Sequence, residues 1–69
     1  MFVNINNIGL INTDSINKIE KDKIESTYVL VFYSKPNKLE EVTKYYKHFE
    51  NIKDRDREYD YIKTHINVL

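Results

Sequence analysis

The sequence predicts a small α+β domain: an antiparallel sheet of about four to five strands with one C-terminal helix packed on one face. Three observations carry that expectation. Tyr28-Val29-Leu30-Val31-Phe32-Tyr33 is an unbroken apolar and aromatic run rich in valine, as a strand covered on both faces requires. Near Asn51 the hydrophobic period changes, and Ile52, Tyr59, Ile62, Ile66 and Leu69 recur at steps of seven, three, four and three, the spacing of one helix face. Finally, 69 residues suffice for a single domain, residues 1–69.

From the N-terminus, Val3-Asn4-Ile5-Asn6 alternates as a half-buried strand does. Asn6-Asn7 suits a tight turn, since asparagine tolerates positive φ, and Ile8-Gly9-Leu10-Ile11 returns as a second strand. Gly9, the only glycine, is expected to mark a bulge. Asn12-Thr13-Asp14-Ser15 gathers turn and cap formers. Ile16 and Ile19 stand three apart, which suits a helical turn capped by Asp14 or Ser15. The same stretch also reads as a strand from Ile19 with Asp22-Lys23 as hairpin tip, so one tight turn followed by a strand is expected. Lys35-Pro36-Asn37-Lys38 forms the next turn.

Residues 39–50 admit two readings. Leu39, Val42, Tyr46 and Phe49 keep a helical period, whereas Val42, Thr43, Tyr45 and Tyr46 prefer strands. The strand reading is preferred. Asn51 with Asp54 approximates a capping box, opening a helix that runs to about residue 67. Asp54, Asp56, Glu58 and Asp60 are expected on its solvent side beside Arg55 and Arg57, with Lys63 and His65 near its C-terminus.

Two short segments resemble parts of small uncharacterised proteins of low-GC Gram-positive bacteria and their phages. Ile11-Asn12-Thr13-Asp14-Ser15-Ile16 with Ile19-Glu20 resembles a turn near their start. Arg55-Asp56-Arg57-Glu58-Tyr59 with Ile62-Lys63 resembles their final helix, entered directly from a strand ending Phe49-Glu50-Asn51. The resemblance implies a sheet capped by one helix, favours a strand over 39–50, and implies no activity. The Asn-, Ile- and Lys-rich usage, with neither Ala nor Gln, fits an AT-rich coding source.

Composition narrows the function classes. Eleven basic and eleven acidic residues give a net charge of zero, which argues against duplex DNA or an anionic membrane as partner. The opening Met1-Phe2-Val3-Asn4 has neither a basic start nor a long apolar run, so no signal peptide or membrane span is expected and a cytoplasmic location is the default. Without cysteine there is neither a disulfide nor a thiolate metal site, and His48 and His65 lie far apart in sequence. Asp54 and Asp56 diverge by about 200° around a helix and do not chelate together. No nucleophile motif, phosphate loop or dinucleotide fingerprint is present. The expectation is a non-enzymatic chain with no metal, catalytic residue or cofactor.

Two binding functions remain. One helix covers one face of a sheet. If it covers Leu30 and Phe32, then Val29, Val31 and Tyr33 need another cover, and with Tyr46 they become the candidate partner-binding residues. Six tyrosines support an interaction role. The leading expectation is a protein–protein interaction module, a homo-oligomer or a binder of a protein target. Its small size and coding bias suit a phage or mobile-element accessory protein that inhibits a host or defence protein. The alternative is single-stranded nucleic-acid binding by Lys44, Tyr45, Tyr46 and Lys47, which interleave basic and aromatic side chains.

Overall fold

The computed structural model describes residues 1–5 and 8–65. Five strands and one helix follow in the order β1 (Phe2–Ile5), β2 (Gly9–Asn12), β3 (Ile16–Ile24), β4 (Thr27–Ser34), β5 (Lys44–Phe49) and α1 (Ile52–His65). The α+β class, the antiparallel strands and the C-terminal helix on the sheet agree with the sequence reading. The strands form two sheets rather than one: the pair β1–β2 and the meander β3–β4–β5.

In β1–β2, Val3 pairs with Ile11 and Ile5 with Gly9, which sets one apolar face toward the interior. The turn expected at Asn6-Asn7 lies outside the described residues. Gly9 is the first residue of β2, opposite Ile5, and the ladder from it to Asn12 has no register shift, so no bulge marks it. Its φ of +106° is the reason for glycine: a Cβ would meet nothing within 4 Å, but an L side chain rarely adopts that backbone.

The turn before β3 comes one step earlier than expected, as a 3₁₀ turn over Thr13–Ser15. Asn12 caps it, its side chain accepting from the Asp14 N–H at 3.0 Å. Ile16 already belongs to β3. The helix-like spacing of Ile16 and Ile19 has a different cause, a register shift between Ile16 and Lys18. A bulge inserts one residue and resets the alternation, so both isoleucines face the same interior. They are 0% and 3% exposed. The hairpin tip is Glu25-Ser26, not Asp22-Lys23, and Glu25 takes a φ of 56° there. Primed hairpin turns require such a conformation, because their twist matches that of the strands they join.

β5 begins at Lys44, so the strand expected over 39–50 is correct only in its second half. Residues 35–43 are a loop built around Asn37, whose side-chain oxygen accepts from the N–H groups of Leu39 (2.8 Å) and Glu41 (3.0 Å). Leu39 and Val42 are exposed, so of the residues whose period suggested a helix only Phe49 packs against the core.

The helix start is as read. The Asn51 side chain accepts from the Asp54 N–H at 2.9 Å and donates to the Asp54 carboxylate at 2.9 Å. Its buried stripe is narrower than expected, holding Ile62 and, at half exposure, Tyr59. Ile52 lies outside it at 44% exposed. Ile66 and Leu69 lie beyond the described residues. Arg55, expected in solvent, is buried.

The core comprises Val3, Ile5, Ile16, Ile19, Leu30, Phe32 and Ile62, with Ile11, Tyr45, Phe49 and Tyr59 at its margin. Hairpin and helix thus share one face of the three-stranded sheet, the face holding Leu30 and Phe32. Among the described residues, Ile62 is the only apolar side chain of the helix in this buried set. Replacing Ile62 by Ala is expected to cost about 2–5 kcal/mol in urea unfolding, as large-to-small core changes do. A cost within about 0.5 kcal/mol, typical of surface sites, would show that the helix does not close this core.

Candidate interaction surfaces

Directly paired residues of neighbouring antiparallel strands point to the same face. The β3–β4–β5 register therefore composes the face away from the helix from three rows: Lys18, Tyr33 and Lys44; Glu20, Val31 and Tyr46; Asp22, Val29 and His48. The expected partner-binding residues Val29, Val31, Tyr33 and Tyr46 do share one face. They do not form an open apolar patch, however. Val29 and Val31 are 0% and 3% exposed. Each lies in the central strand between longer polar or aromatic neighbours on both sides, so the cover expected from a partner is supplied locally. Tyr46 and Tyr33 remain accessible.

The alternative set divides between faces. Lys44 and Tyr46 stand on the open face, while Tyr45 and Lys47 alternate to the helix side. Tyr45 packs at the core margin. Lys47 Nζ lies 2.7 Å from Glu58 Oε2 on α1, an ion pair between sheet and helix. Lys44, Tyr45, Tyr46 and Lys47 therefore offer no single nucleic-acid surface. What joins Lys44 and Tyr46 on the open face comes from other strands, Tyr33 and Lys18. The ammonium groups of Lys18 and Lys44 approach the Tyr33 ring at 5.2 and 5.4 Å.

Tyr33 also donates its hydroxyl hydrogen bond to the Glu20 carboxylate. That bond is the main reason the Glu20 carboxyl titrates below its ordinary value, with Lys18 at 3.4 Å adding to it. The same bond raises the Tyr33 phenol.

The helix meets the sheet across a charged seam. Arg55 Nη1 donates to the Asp22 carbonyl at 2.8 Å, its Nε donates to Asp56 at 3.0 Å, and its guanidinium lies 5.4 Å from the Tyr28 ring centre. Lys21 reaches Asp56 at 3.8 Å and sits 5.0 Å from the Tyr59 ring centre. These side chains hold α1 against the sheet. Among the described residues, no group of three or more His, Asp or Glu is placed to hold a metal ion. Nor is any described helix long and apolar enough to cross a membrane.

Apart from Leu39 on the 35–43 loop, the most exposed large apolar side chains lie on the outer face of β1–β2. Phe2 and Leu10 are 63% and 68% exposed, Ile8 beside them 52%. Phe2 and Asn4 of that face share a groove with Tyr61 of α1, itself 55% exposed. Sequence reasoning passed over this surface, although a signal was present: no charged side chain occurs among residues 1–13. No protein-family model, curated protein or solved structure matches the chain.

The Tyr33–Glu20 pair has a pH signature. Because the folded carboxyl is depressed, its stabilisation is complete above the ordinary value of 4.5 and fades as pH falls through the lower folded value. Because the phenol is raised, its stabilisation is complete below 10.0 and fades as pH rises through the higher folded value. In Tyr33→Phe, carboxyl NMR titration should find Glu20 moved up toward 4.5. An unmoved Glu20 would mean the hydrogen bond does not set its titration.

Proposed function

We propose that this chain is a non-enzymatic protein-binding module and that its contact surface is the outer face of the N-terminal hairpin, extended by Tyr61. The observation that carries the reading is the exposure of Phe2 and Leu10, 63% and 68%, on a segment free of charged side chains. Contiguous apolar surface rimmed by polar residues marks interaction sites, and charge depletion with aromatic content characterises interface centres. A module of this kind works by occupying a partner's surface. That is how a stoichiometric inhibitor acts, and it needs no catalytic group. A photoreactive amino acid placed at Leu10 in the expressing cell should give protein adducts that the same group at Lys38, on the exposed loop, does not. Equal labelling from both positions, or none from Leu10, would defeat the reading.

A second reading, binding of single-stranded nucleic acid, is favoured by a specific arrangement on the open sheet face. Tyr33, Tyr46 and His48 stand there with Lys18 and Lys44, a set that offers rings for stacking and cations for phosphates. Glu20 and Asp22 on the same face oppose it. An oligonucleotide titration at low salt decides the matter. Binding that weakens by about 1–3 kcal/mol in Tyr46→Ala supports this reading, and no binding at low salt eliminates it.

A further inference from the structure

The free edges of the meander are guarded by lysines, Lys18, Lys21 and Lys23 on β3 and Lys44 and Lys47 on β5. Charged edges resist pairing with another strand. β2 has no such guard, and it belongs to a stretch without charged side chains in a chain that is 32% charged.

Backbone accounting points to the same strand. The Thr13 N–H donates to the Met1 carbonyl at 2.9 Å. Hydrogen-bonded and non-bonded pairs alternate along an antiparallel ladder. In this register Val3 with Ile11 and Ile5 with Gly9 are then bonded pairs, while Asn4 opposite Leu10 is not. Leu10 therefore turns its N–H and C=O away from β1, toward the edge of β2 on which no other described strand pairs. Its side chain lies on the exposed outer face, diagonal to Phe2.

Resting on the protein-binding reading above, we propose that the partner is a second copy of this chain, β2 pairing antiparallel with its own copy about a two-fold axis at Leu10. In this register Leu10 exchanges two N–H···O=C bonds with its copy and the two leucine side chains stack on the outer face. The joined hairpins make a four-stranded sheet from two ribbons that are each marginal alone. Self-pairing favours this edge because a two-fold contact sets like against like. On β3 or β5 it would crowd lysines together, whereas on β2 it brings apolar groups together. A standard interface takes about 800 Å² from each subunit, about a sixth of the 5000 Å² of this chain. The hairpin face with Phe2, Ile8, Leu10 and the neighbouring Tyr61 supplies apolar surface at its centre.

A chain without cysteine allows a direct test on the full-length protein. Light scattering over a concentration series should give the dimer mass for wild type, and the monomer mass for Leu10→Lys with an unchanged circular dichroism spectrum. Bonded antiparallel partners stand about 5.5 Å apart at Cα, within disulfide reach. Leu10→Cys should therefore oxidise to a covalent dimer under conditions where Lys38→Cys stays monomeric, and this result decides the matter even if Leu10→Lys fails to fold. A wild-type monomer at every concentration overturns self-pairing, as does cross-linking of Lys38→Cys as readily as Leu10→Cys. If a monomeric wild type still gives photoadducts from Leu10 to other proteins, self-pairing alone falls. If it gives none, the protein-binding reading falls with it.

Discussion

β4 is the strand on which every other element depends. Among the described residues it is the only strand with a neighbour on both edges, and Val29, Leu30, Val31 and Phe32 along it are all buried. A strand of this kind has two apolar faces to cover, and the chain has one helix. The two faces are covered by different means. Leu30 and Phe32 lie beneath elements, the hairpin and the helix together. Val29 and Val31 lie beneath side chains, screened by the longer residues of β3 and β5 that flank them in register. The second device works because valine is short. Its neighbours need only lean across it, and they keep their polar ends in water.

The helix is fastened by the apolar pair Ile62 and Tyr59 along one stretch and by charge toward its start. Ile62 is its buried anchor, and toward its start the seam is built from Arg55, Asp56, Glu58, Lys21 and Lys47. Arg55 is the least exposed of these and satisfies both sides at once, a sheet carbonyl and a helix carboxylate. Burying a guanidinium is costly unless its donors are matched, so a seam of this kind constrains where the helix can sit more than it adds to net stability. The helix is thereby aimed across β3, β4 and β5, and its exposed Tyr61 comes to lie beside Phe2.

Much of the fold is legible in the sequence because periodicity reports burial. The run from Tyr28 to Tyr33 could only be a central strand, and Asn51 with Asp54 announced the helix start. Three features escaped for physical reasons. Ile16 and Ile19 imitate a helical turn because a bulge inserts a residue between them, and periodicity cannot tell one extra strand residue from a turn of helix. For Arg55 charge predicts exposure, while its burial rests on a carbonyl thirty-three residues away in sequence. Val29 and Val31 suggest an open patch because the pattern along one strand says nothing of side-chain lengths on its neighbours. The hairpin surface was overlooked because short alternating strands promise one buried and one polar face, whereas the outer face here carries Phe2 and Leu10.

The pairing of each strand with its immediate successor has a consequence for how the chain emerges during synthesis. β3–β4–β5 is a meander whose contacts are local, so it can assemble as soon as Phe49 is free. At that moment the hairpin is already present, but the Leu30 side of the sheet lacks its last cover. Ile62 follows thirteen residues later. For that interval the nascent domain has strands without a lid, the state in which small sheets are most prone to join one another. The lysines on both meander edges then matter most before folding is complete, as a guard for the unfinished protein.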